Sequence, residues 1–234
     1  MSLTLGSMLA AVMPLTTAAP PAIVDPATLF TTSLVHYWDS YDSGTEIWTD
    51  SAGAANAIPQ STAPAAGVVN GRTYPIFDGV NTGMQVASFT TLDGAEDWCV
   101  FGSLKTNNGQ AYGGVIVKAS SFYFELNFGS GSFYVEDGAG TGSMVGTTRI
   151  DNNDWHRFIC TVTNNEAILY IDAALNATVT FQALPTNGNP LLLGVQPNST
   201  VCDCSIALIG MLDRGATPEE VVTLDAFLQD ATAA

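Results

Sequence analysis

The strongest constraint on the fold is a stretch in which apolar and polar residues alternate on both sides of a two-residue turn. The first alternating run begins with Trp155-His156, the second ends in Asp172, and Asn164-Asn165 separates them. Alternation places one face of a strand in the core and the other in solvent, as in antiparallel sheets. The segment therefore predicts a β-hairpin over residues 154–172.

Similar strand patterns recur along most of the chain, separated by turn-forming residues. They cover residues 34–38, 74–77, 84–89, 98–104, 113–118, 122–128, 133–136, 177–181, 191–195 and 205–212. The last pattern is helical, because Thr217 suits a helix cap, Pro218 suits the first helical position, and two acidic residues follow. We therefore predict an all-β fold, a two-sheet antiparallel jelly-roll sandwich over residues 34–234 with one short C-terminal helix.

Residues 1–33 precede these patterns and are rich in Ala, Thr and Pro without any periodicity. Prolines at this density prevent long helices and central strands. We therefore predict an extended N-terminal arm that attaches the domain to a partner, with packing along its own sandwich as the alternative. The apolar side chains expected to make the attachment are Leu3, Leu5, Met8, Leu9, Val12 and Met13.

The charge balance argues against two classes of partner. The chain has 22 acidic and 6 basic residues, a net charge of −16. Nucleic acids and anionic membranes attract clustered Lys and Arg, so we expect neither as a partner. The apolar start of the chain is too short to span a bilayer and lacks the basic residues of a secretory signal, so we expect no membrane insertion.

The cysteines favour buried thiols over a metal site or a disulfide. Most of them lie beside aliphatic residues in strand patterns, where a free cysteine behaves as a small hydrophobic residue. The spacing of Cys202 and Cys204 lacks the second Cys or His pair of a zinc knuckle. We expect reduced core thiols, with one disulfide as the alternative, at Cys99, Cys160, Cys202 and Cys204.

Several of these stretches resemble motifs of concanavalin A-like (laminin G-like) jelly rolls. The resemblance lies in the hairpin, in Phe77-Asp78-Gly79-Val80-Asn81, in Pro190-Leu191-Leu192-Leu193-Gly194, and in residues 209–221, in the family's order. It implies a sandwich that more often displays a surface than performs chemistry. One departure is Ala173, which replaces the family's glycine after Asp172. Because alanine disfavours positive φ, we expect this turn to adopt another geometry.

The first part of the chain is similar to virion proteins of tailed bacteriophages. The similarity lies in residues 1–8 and in the block from Tyr37-Trp38-Asp39 to Trp48-Thr49-Asp50-Ser51-Ala52-Gly53. It implies a head or tail fibre, spike or decoration protein, bound to other virion proteins through the arm and displaying a lectin-like surface to host glycans. We also expect a homo-oligomer. The alternatives are a secreted carbohydrate-binding lectin module and a divergent glycoside hydrolase or lyase.

Catalytic patterns are weak in this sequence. Glycosidases require two carboxylates a few Å apart, whereas Glu125 is the single acidic residue of its strand and Glu136-Asp137 lies at a strand end. Neither His36 nor His156 lies near a Gly-x-Ser-x-Gly nucleophile motif. The resemblance implies a structural role for His156. We therefore predict that the protein is not an enzyme.

Two loops contain clustered oxygen ligands of the kind that Ca²⁺ prefers. The candidate ligands are Asp137, Asp151, Asn153 and Asp154. Such clusters more often form turns through hydrogen bonds from side chain to backbone. We prefer the turn interpretation, and hence no cofactor, with calcium as the alternative.

A glycan is expected to stack on exposed aromatic rings and to bond to neighbouring carboxylates. The loop between the first two tryptophans offers both, and we predict an exposed binding patch there. Its residues are Trp38, Asp39, Tyr41, Asp42 and Trp48. Trp98 and Trp155 lie in strand patterns and are predicted to be buried.

Overall fold

The computed structural model describes residues 23–106, 113–127, 130–138, 140–197 and 200–233. Its strands are β1 (Leu34–Asp42), β2 (Ile47–Asp50), β3 (Ile58–Pro59), β4 (Ala65–Val69), β5 (Arg72–Asp78), β6 (Met84–Val86), β7 (Trp98–Thr106), β8 (Gly113–Lys118), β9 (Phe122–Leu126), β10 (Ser132–Glu136), β11 (Ser143–Arg149), β12 (Trp155–Thr163), β13 (Glu166–Ile171), β14 (Ala174–Thr180), β15 (Leu191–Leu193) and β16 (Asp203–Leu212). Its helices are α1 (Pro26–Leu29) and α2 (Pro218–Ala231). None of these helices is long and apolar enough to cross a membrane.

The strands form two antiparallel sheets packed face to face. The nine-stranded sheet has the order β14-β13-β12-β7-β16-β1-β2, and β5 joins β16 and carries β4 beside it. The seven-stranded sheet has the order β11-β10-β9-β8-β15-β6-β3. The prediction of an all-β jelly-roll sandwich with a C-terminal helix is confirmed.

The hairpin predicted from alternation is β12–β13. Thr163 pairs with Glu166, and the two asparagines between them have φ values of 52° and 65°. Asparagine tolerates this left-handed region, which two-residue hairpin turns require. The local sequence therefore determines the turn, and the alternation determines which face enters the core.

The turn after Asp172 differs from our expectation. Asp172 and Ala173 have φ values of 52° and 67°, so both residues adopt the left-handed region. The cause is the pairing of β13 with β14, in which Ile171 lies opposite Ala174 and leaves only two residues for the connection. The prediction of another geometry is wrong, and Ala173 occupies a conformation that favours glycine.

Aromatic side chains fill the space between the sheets. Trp98 is fully buried, with ring centroids of Phe122, Phe124 and Phe181 at 6.0–6.3 Å. The cysteines belong to the interior as well. All four are buried and form no disulfide, the arrangement expected of core thiols. Burial raises the thiol pKa of Cys99, Cys160 and Cys204.

Both helices lie on the outer face of the nine-stranded sheet. Helix α2 begins with a capping box, in which Thr217 Oγ1 accepts from Glu220 N at 3.3 Å and Glu220 Oε2 accepts from Thr217 N at 2.8 Å. Its buried stripe packs on outward side chains of β1, β7, β12 and β16. The stripe consists of Val221, Leu224, Phe227, Leu228 and Ala231.

Helix α1 is a short element that the sequence patterns did not predict. Asp25 Oδ1 accepts from Ala27 N at 2.8 Å and caps the helix. The next residue, Phe30, is buried in the same cluster as α2, and the Arg214 guanidinium lies 5.5 Å from its ring. The C-terminal end of the predicted arm therefore packs on the sandwich itself. The six predicted attachment residues, Leu3 to Met13, lie outside the described residues.

Candidate functional site

The outer face of the seven-stranded sheet is the best candidate for a binding surface. On β9 the core-facing Phe122, Phe124 and Leu126 leave Tyr123 and Glu125 pointing outward. On β10 Phe133 and Val135 face the core, and Tyr134 and Glu136 point outward. Neither helix lies on this sheet. Tyr123, Tyr134 and Glu136 are partly exposed there, whereas Glu125 is buried.

The pairing of β9 with β10 brings the four outward side chains together. Tyr134 lies opposite Glu125, and Glu136 lies opposite Tyr123. Two tyrosines and two glutamates therefore alternate over a small area, which we call the Tyr/Glu cluster. The row through Tyr123 and Glu136 continues across the whole sheet. Its further members are Ile58, Gln85, Leu192, Val117 and Ser143.

A pocket of about 240 Å³ lies at one end of the Tyr/Glu cluster, where β10 turns into β11. It is lined by Tyr134, Glu136, Gly140, Thr141, Gly142 and Ser143. Tyr134 Oη donates to Glu136 Oε2 at 2.6 Å. Burial and this hydrogen bond raise the pKa of Tyr134 to about 12, so the hydroxyl stays protonated at neutral pH and remains a donor.

The other end of the cluster is closed by the chain that follows β15. Gln196 Nε2 donates to Glu125 Oε1 at 2.5 Å, and both residues are buried. Gln196 N also donates to Thr200 O at 2.9 Å, which folds this chain back over the sheet. Gly114 is needed beneath it, because a Cβ there would lie 2.8 Å from Gln196 Cγ. Beside this loop, Tyr123 packs on a small apolar cluster formed by Val117, Leu192, Val195 and Val201.

The chemistry of the pocket suits hydrogen bonding to a small polar ligand. Drug-sized ligands occupy sites of roughly 300–1,000 Å³, so this pocket accommodates something smaller, such as one sugar residue. The partly exposed ring of Tyr134 offers an apolar face, and the Glu136 carboxylate accepts from hydroxyl groups.

Glu125 and Glu136 share the outer face as diagonal neighbours, a separation of about 7–8 Å in antiparallel pairs. Alternation along β9 places Tyr123 and Glu125 on one face, but the sequence alone does not bring Glu125 and Glu136 together. Glu125 is buried, accepts from Gln196, and is not among the residues that line the pocket. The two carboxylates therefore have different surroundings.

The prediction of an exposed aromatic patch between the first two tryptophans is wrong. Trp38, Tyr41 and Trp48 are 0%, 1% and 0% exposed and belong to the core between the sheets. The segment forms β1 and β2, whose pairing turns these rings inward, and Trp38 Nε1 donates to Ala55 O at 2.9 Å.

The two carboxylates of that predicted patch serve local structure. Asp39 accepts from Ser51 Oγ at 2.6 Å, and Asp42 accepts from Gly44 N at 2.8 Å. Of the two tryptophans expected to be buried, Trp98 is buried. Trp155 is partly exposed and packs edge-on against Tyr74, with centroids 5.2 Å apart.

The oxygen clusters proposed for calcium take part in turns. Asp137 accepts from Thr141 N at 3.1 Å, from the Thr141 hydroxyl and from Gln182 N at 3.3 Å. Asp151 forms an ion pair with Arg149. Asn153 has a φ of 65°, and Asp154 N donates to Asn152 Oδ1 at 3.0 Å. Within the described ranges no group of three His, Cys, Asp or Glu residues is arranged to hold a metal ion. The contacts favour the turn interpretation.

Both histidines are held by an aspartate in the same way. His156 Nδ1 lies 2.7 Å from Asp172 Oδ2, and Asp172 Oδ1 accepts from Arg157 N at 3.0 Å. His36 Nδ1 lies 2.7 Å from Asp50 Oδ2, and Asp50 Oδ1 accepts from Tyr37 N at 2.9 Å.

The far ring nitrogens have different partners. His36 Nε2 lies 2.6 Å from Thr91 Oγ1, whereas His156 Nε2 lies 2.8 Å from Asn152 Oδ1. Thr91, His36 and Asp50 are therefore in the order of contacts found in a nucleophile–base–carboxylate triad. The same arrangement at His156 ends on an amide, which carries no nucleophilic hydroxyl. What the two sites share is the His–Asp contact at the end of each hairpin.

Comparison with known proteins supports the fold. The family model described as the concanavalin A-like lectin/glucanases superfamily matches residues 77–222. No curated protein matches the sequence. The resemblance to tailed-bacteriophage virion proteins is not shown by these comparisons and stays a prediction.

Similar solved structures come from several kinds of protein. The binding domain of Paraclostridial Mosquitocidal Protein 1 has a TM-score of 0.67 at 12% identity, covering 82% of this chain and 52% of that one. Domain 4 of AbnA, a GH43 extracellular arabinanase from Geobacillus stearothermophilus solved with arabinotriose, has a TM-score of 0.66 at 15% identity, covering 82% and 98%. Trypanosoma rangeli sialidase in complex with sialic acid has a TM-score of 0.62 at 14% identity, covering 84% and 33%. This chain thus spans about half of the mosquitocidal binding domain and a third of the sialidase. At these identities the likeness concerns the fold alone.

Proposed function

The chain belongs to the concanavalin A-like lectin/glucanases superfamily, and from this premise we propose that it is a non-catalytic module that binds a glycan at the Tyr/Glu cluster. The observation that carries the proposal is the pocket beside Tyr134 and Glu136, where a partly exposed aromatic ring, a carboxylate and two hydroxyl side chains converge. Sugars present apolar C–H faces and hydroxyl groups, and this set of side chains complements both.

The absence of catalysis is part of this proposal. A glycosidase would need both carboxylates at the reacting bond. Glu125 is buried against Gln196, whereas Glu136 lines the pocket and accepts from Tyr134. The alternative of a divergent glycoside hydrolase or lyase has one observation in its favour, namely that both glutamates lie on one face of the sheet. Release of reducing sugar by the unmodified protein, lost in both Glu125→Gln and Glu136→Gln, would establish that alternative.

We further propose that the module is a component of a bacteriophage virion, a fibre, spike or decoration protein present in several copies. Support comes from the likeness of residues 1–8 and 37–53 to such proteins and from the uncharged, apolar composition of residues 1–22. In this proposal those residues contact other virion proteins, and the Tyr/Glu cluster faces host-surface glycans. The alternative setting is a secreted lectin module.

A glycan array tests the binding proposal. We expect the purified full chain to bind a limited set of glycans, and Tyr134→Ala to weaken that binding about tenfold or more, as is usual for a central aromatic contact. The matched control is Tyr170→Ala, which removes a partly exposed tyrosine from the outer face of the other sheet. Binding that is unchanged in Tyr134→Ala, or lost equally in the control, would contradict the proposed site.

The virion proposal has a separate test. Deletion of residues 1–22 leaves α1 and Phe30 in place, so we expect a folded domain that no longer enters particles. Particles that incorporate the truncated protein normally would exclude the arm as the attachment.

A further inference from the structure

We infer that the Tyr/Glu cluster selects uncharged sugars and amino sugars and rejects glycans that carry a carboxylate, such as sialic acid or uronic acid residues. The inference deepens the proposed function and rests on it. It follows from the charges that surround the pocket and from the places of the basic residues in the fold.

The pocket itself is negative. Among the described residues that line it, Glu136 carries the single carboxylate, and no lining residue is basic. Glu125 adds a second acidic side chain on the same face, one strand away. Asp137 follows directly in the chain and is 1% exposed, with its carboxylate held by Thr141. The neighbourhood therefore has three acidic residues and a tyrosine hydroxyl that donates to one of them.

Most of the basic residues are engaged in ion pairs. The protein has only 6 lysines and arginines, all within the described ranges. Five of them form ion pairs, namely Arg72 with Asp39, Lys118 with Asp93, Arg149 with Asp151, Arg157 with Asp225 and Asp172, and Arg214 with Glu220. The sixth, Lys105, lies on β7 of the opposite sheet, between Trp155 and Ser205.

Only Arg149 shares a strand with the pocket. It stands at the far end of β11 from Ser143 and pairs with Ser132, two residues before Tyr134 and four before Glu136 on β10, which places it about 13 Å along the strand from Glu136. Its guanidinium is bound to Asp151 by two hydrogen bonds. Among the described residues, the one cation on the two strands of the pocket is therefore already paired with an aspartate.

These charges act differently on the three classes of sugar. Carboxylate ligands are usually recognised by arginine or lysine, and here an anionic sugar would meet Glu136 instead. Like charges a few Å apart repel, and the net charge of −16 adds a long-range contribution of the same sign. A neutral hydroxyl donates to the same carboxylate without this repulsion. An ammonium group, as in glucosamine, is attracted to it.

The test compares matched neutral and acidic ligands on the full chain. Lactose and 3′-sialyllactose form a pair of a neutral and an acidic ligand. Oligomers of N-acetylglucosamine and of glucosamine form a second pair, in which the glucosamine member is cationic. We expect the sialylated member to bind at least about tenfold more weakly than the neutral one at low salt. The ratio should shrink at high ionic strength, because salt screens charge repulsion but leaves steric exclusion unchanged.

Two isosteric variants assign the effect to the pocket. Glu136→Gln should reduce the neutral-to-sialylated ratio several-fold, whereas Glu166→Gln, an exposed position on the nine-stranded sheet, should leave it unchanged. Equal or tighter binding of sialylated ligands by the unmodified protein overturns the inference and leaves the proposed function intact. A protein that binds no sugar of any class overturns both.

Discussion

The two hairpins that carry the histidines, β1–β2 and β12–β13, use the same pair of side chains in different surroundings. In each, a histidine near the start of one strand contacts an aspartate at the end of the second strand or directly after it. In each, the aspartate also accepts from the backbone N–H that follows the histidine. Such a contact closes the open end of a hairpin, where no ladder hydrogen bond is available.

The aspartates differ in burial and in what else they hold. The Asp50 side chain is 0% exposed and also accepts from the backbone of Ala52, Gly53 and Ala55, so it organises the irregular chain after β2. The Asp172 side chain is 31% exposed and lies 3.6 Å from Arg157, which in turn reaches Asp225 on α2. One carboxylate is thus the centre of a buried network, and the other is a partly solvated link to a helix. The same local motif is therefore expected to stabilise the fold to different extents.

The largest effect is expected from removing the buried carboxylate. Asp50→Ala leaves His36 and several backbone N–H groups without their partner in the interior, which typically costs about 3–5 kcal/mol. Asp172→Ala should cost less, about 1–2 kcal/mol, because water can replace part of the interaction. Urea unfolding of the two variants measures both values. Equal losses would show that burial does not distinguish the two anchors.

The loss of stability in acid should reveal the same difference between Asp50 and Asp172. Burial acts to raise the pKa of Asp50, but hydrogen bonds from His36 and from the backbone of Tyr37, Gly53 and Ala55 outweigh it and hold the pKa below its usual range. A lowered folded-state pKa contributes stability above the unfolded-state value near pH 4, and that contribution is lost as the pH falls through the folded-state pKa. The pKa of Asp172 is lowered as well, with burial opposed by hydrogen bonds from His156 and Arg157 N.

We therefore expect the free energy of unfolding to fall between pH 5 and pH 2, and to fall less steeply in Asp50→Asn. Asp172→Asn should flatten the curve less, and urea titrations at each pH provide the measurement. Parallel curves for the unmodified protein and Asp50→Asn would mean that Asp50 titrates alike in the folded and unfolded chains.

The smallest effect concerns the turn beside the second anchor. Ala173 adopts a φ of 67°, and glycine should relieve the strain of the left-handed conformation while adding some unfolded-state entropy. We expect Ala173→Gly to raise the free energy of unfolding by about 0.5–1 kcal/mol. Asn165→Gly is the control, since asparagine already tolerates its φ of 65° and the change should be close to zero. Destabilisation by Ala173→Gly would show that the alanine methyl group makes a contact worth more than the strain.

Sequence patterns predicted the β12–β13 hairpin because apolar and polar residues alternate along it, although α2 covers the outward Ile159 of β12. They did not predict the burial of Trp38 and Trp48. An aromatic residue with polar neighbours has the same sequence pattern in an exposed loop as in a strand whose rings enter the core. The outward direction of Tyr123 and Glu125 was readable from alternation. Their meeting with Tyr134 and Glu136 depends on the register of β9 against β10, which is determined by pairing and not by either strand alone.

The prediction for the geometry of the Ala173 turn was wrong for a related reason. Local preference disfavours alanine at positive φ, but the pairing of β13 with β14 and the contacts of Asp172 impose the conformation. Tertiary structure can override a preference of this size, because the strain of one residue is small compared with the interactions of two strands. The sequence contains the residues of both anchors but not the long-range pairing that brings them together.

The positions of α1 and α2 have a consequence for how the domain can be held. Both helices pack on the outer face of the nine-stranded sheet, so the described chain both enters and leaves on that side. A support joined directly before α1 or directly after α2, whether a neighbouring polypeptide, a fusion partner or a sensor chip, will lie behind the sandwich. The Tyr/Glu cluster will then point away from the support, towards whatever approaches from solution.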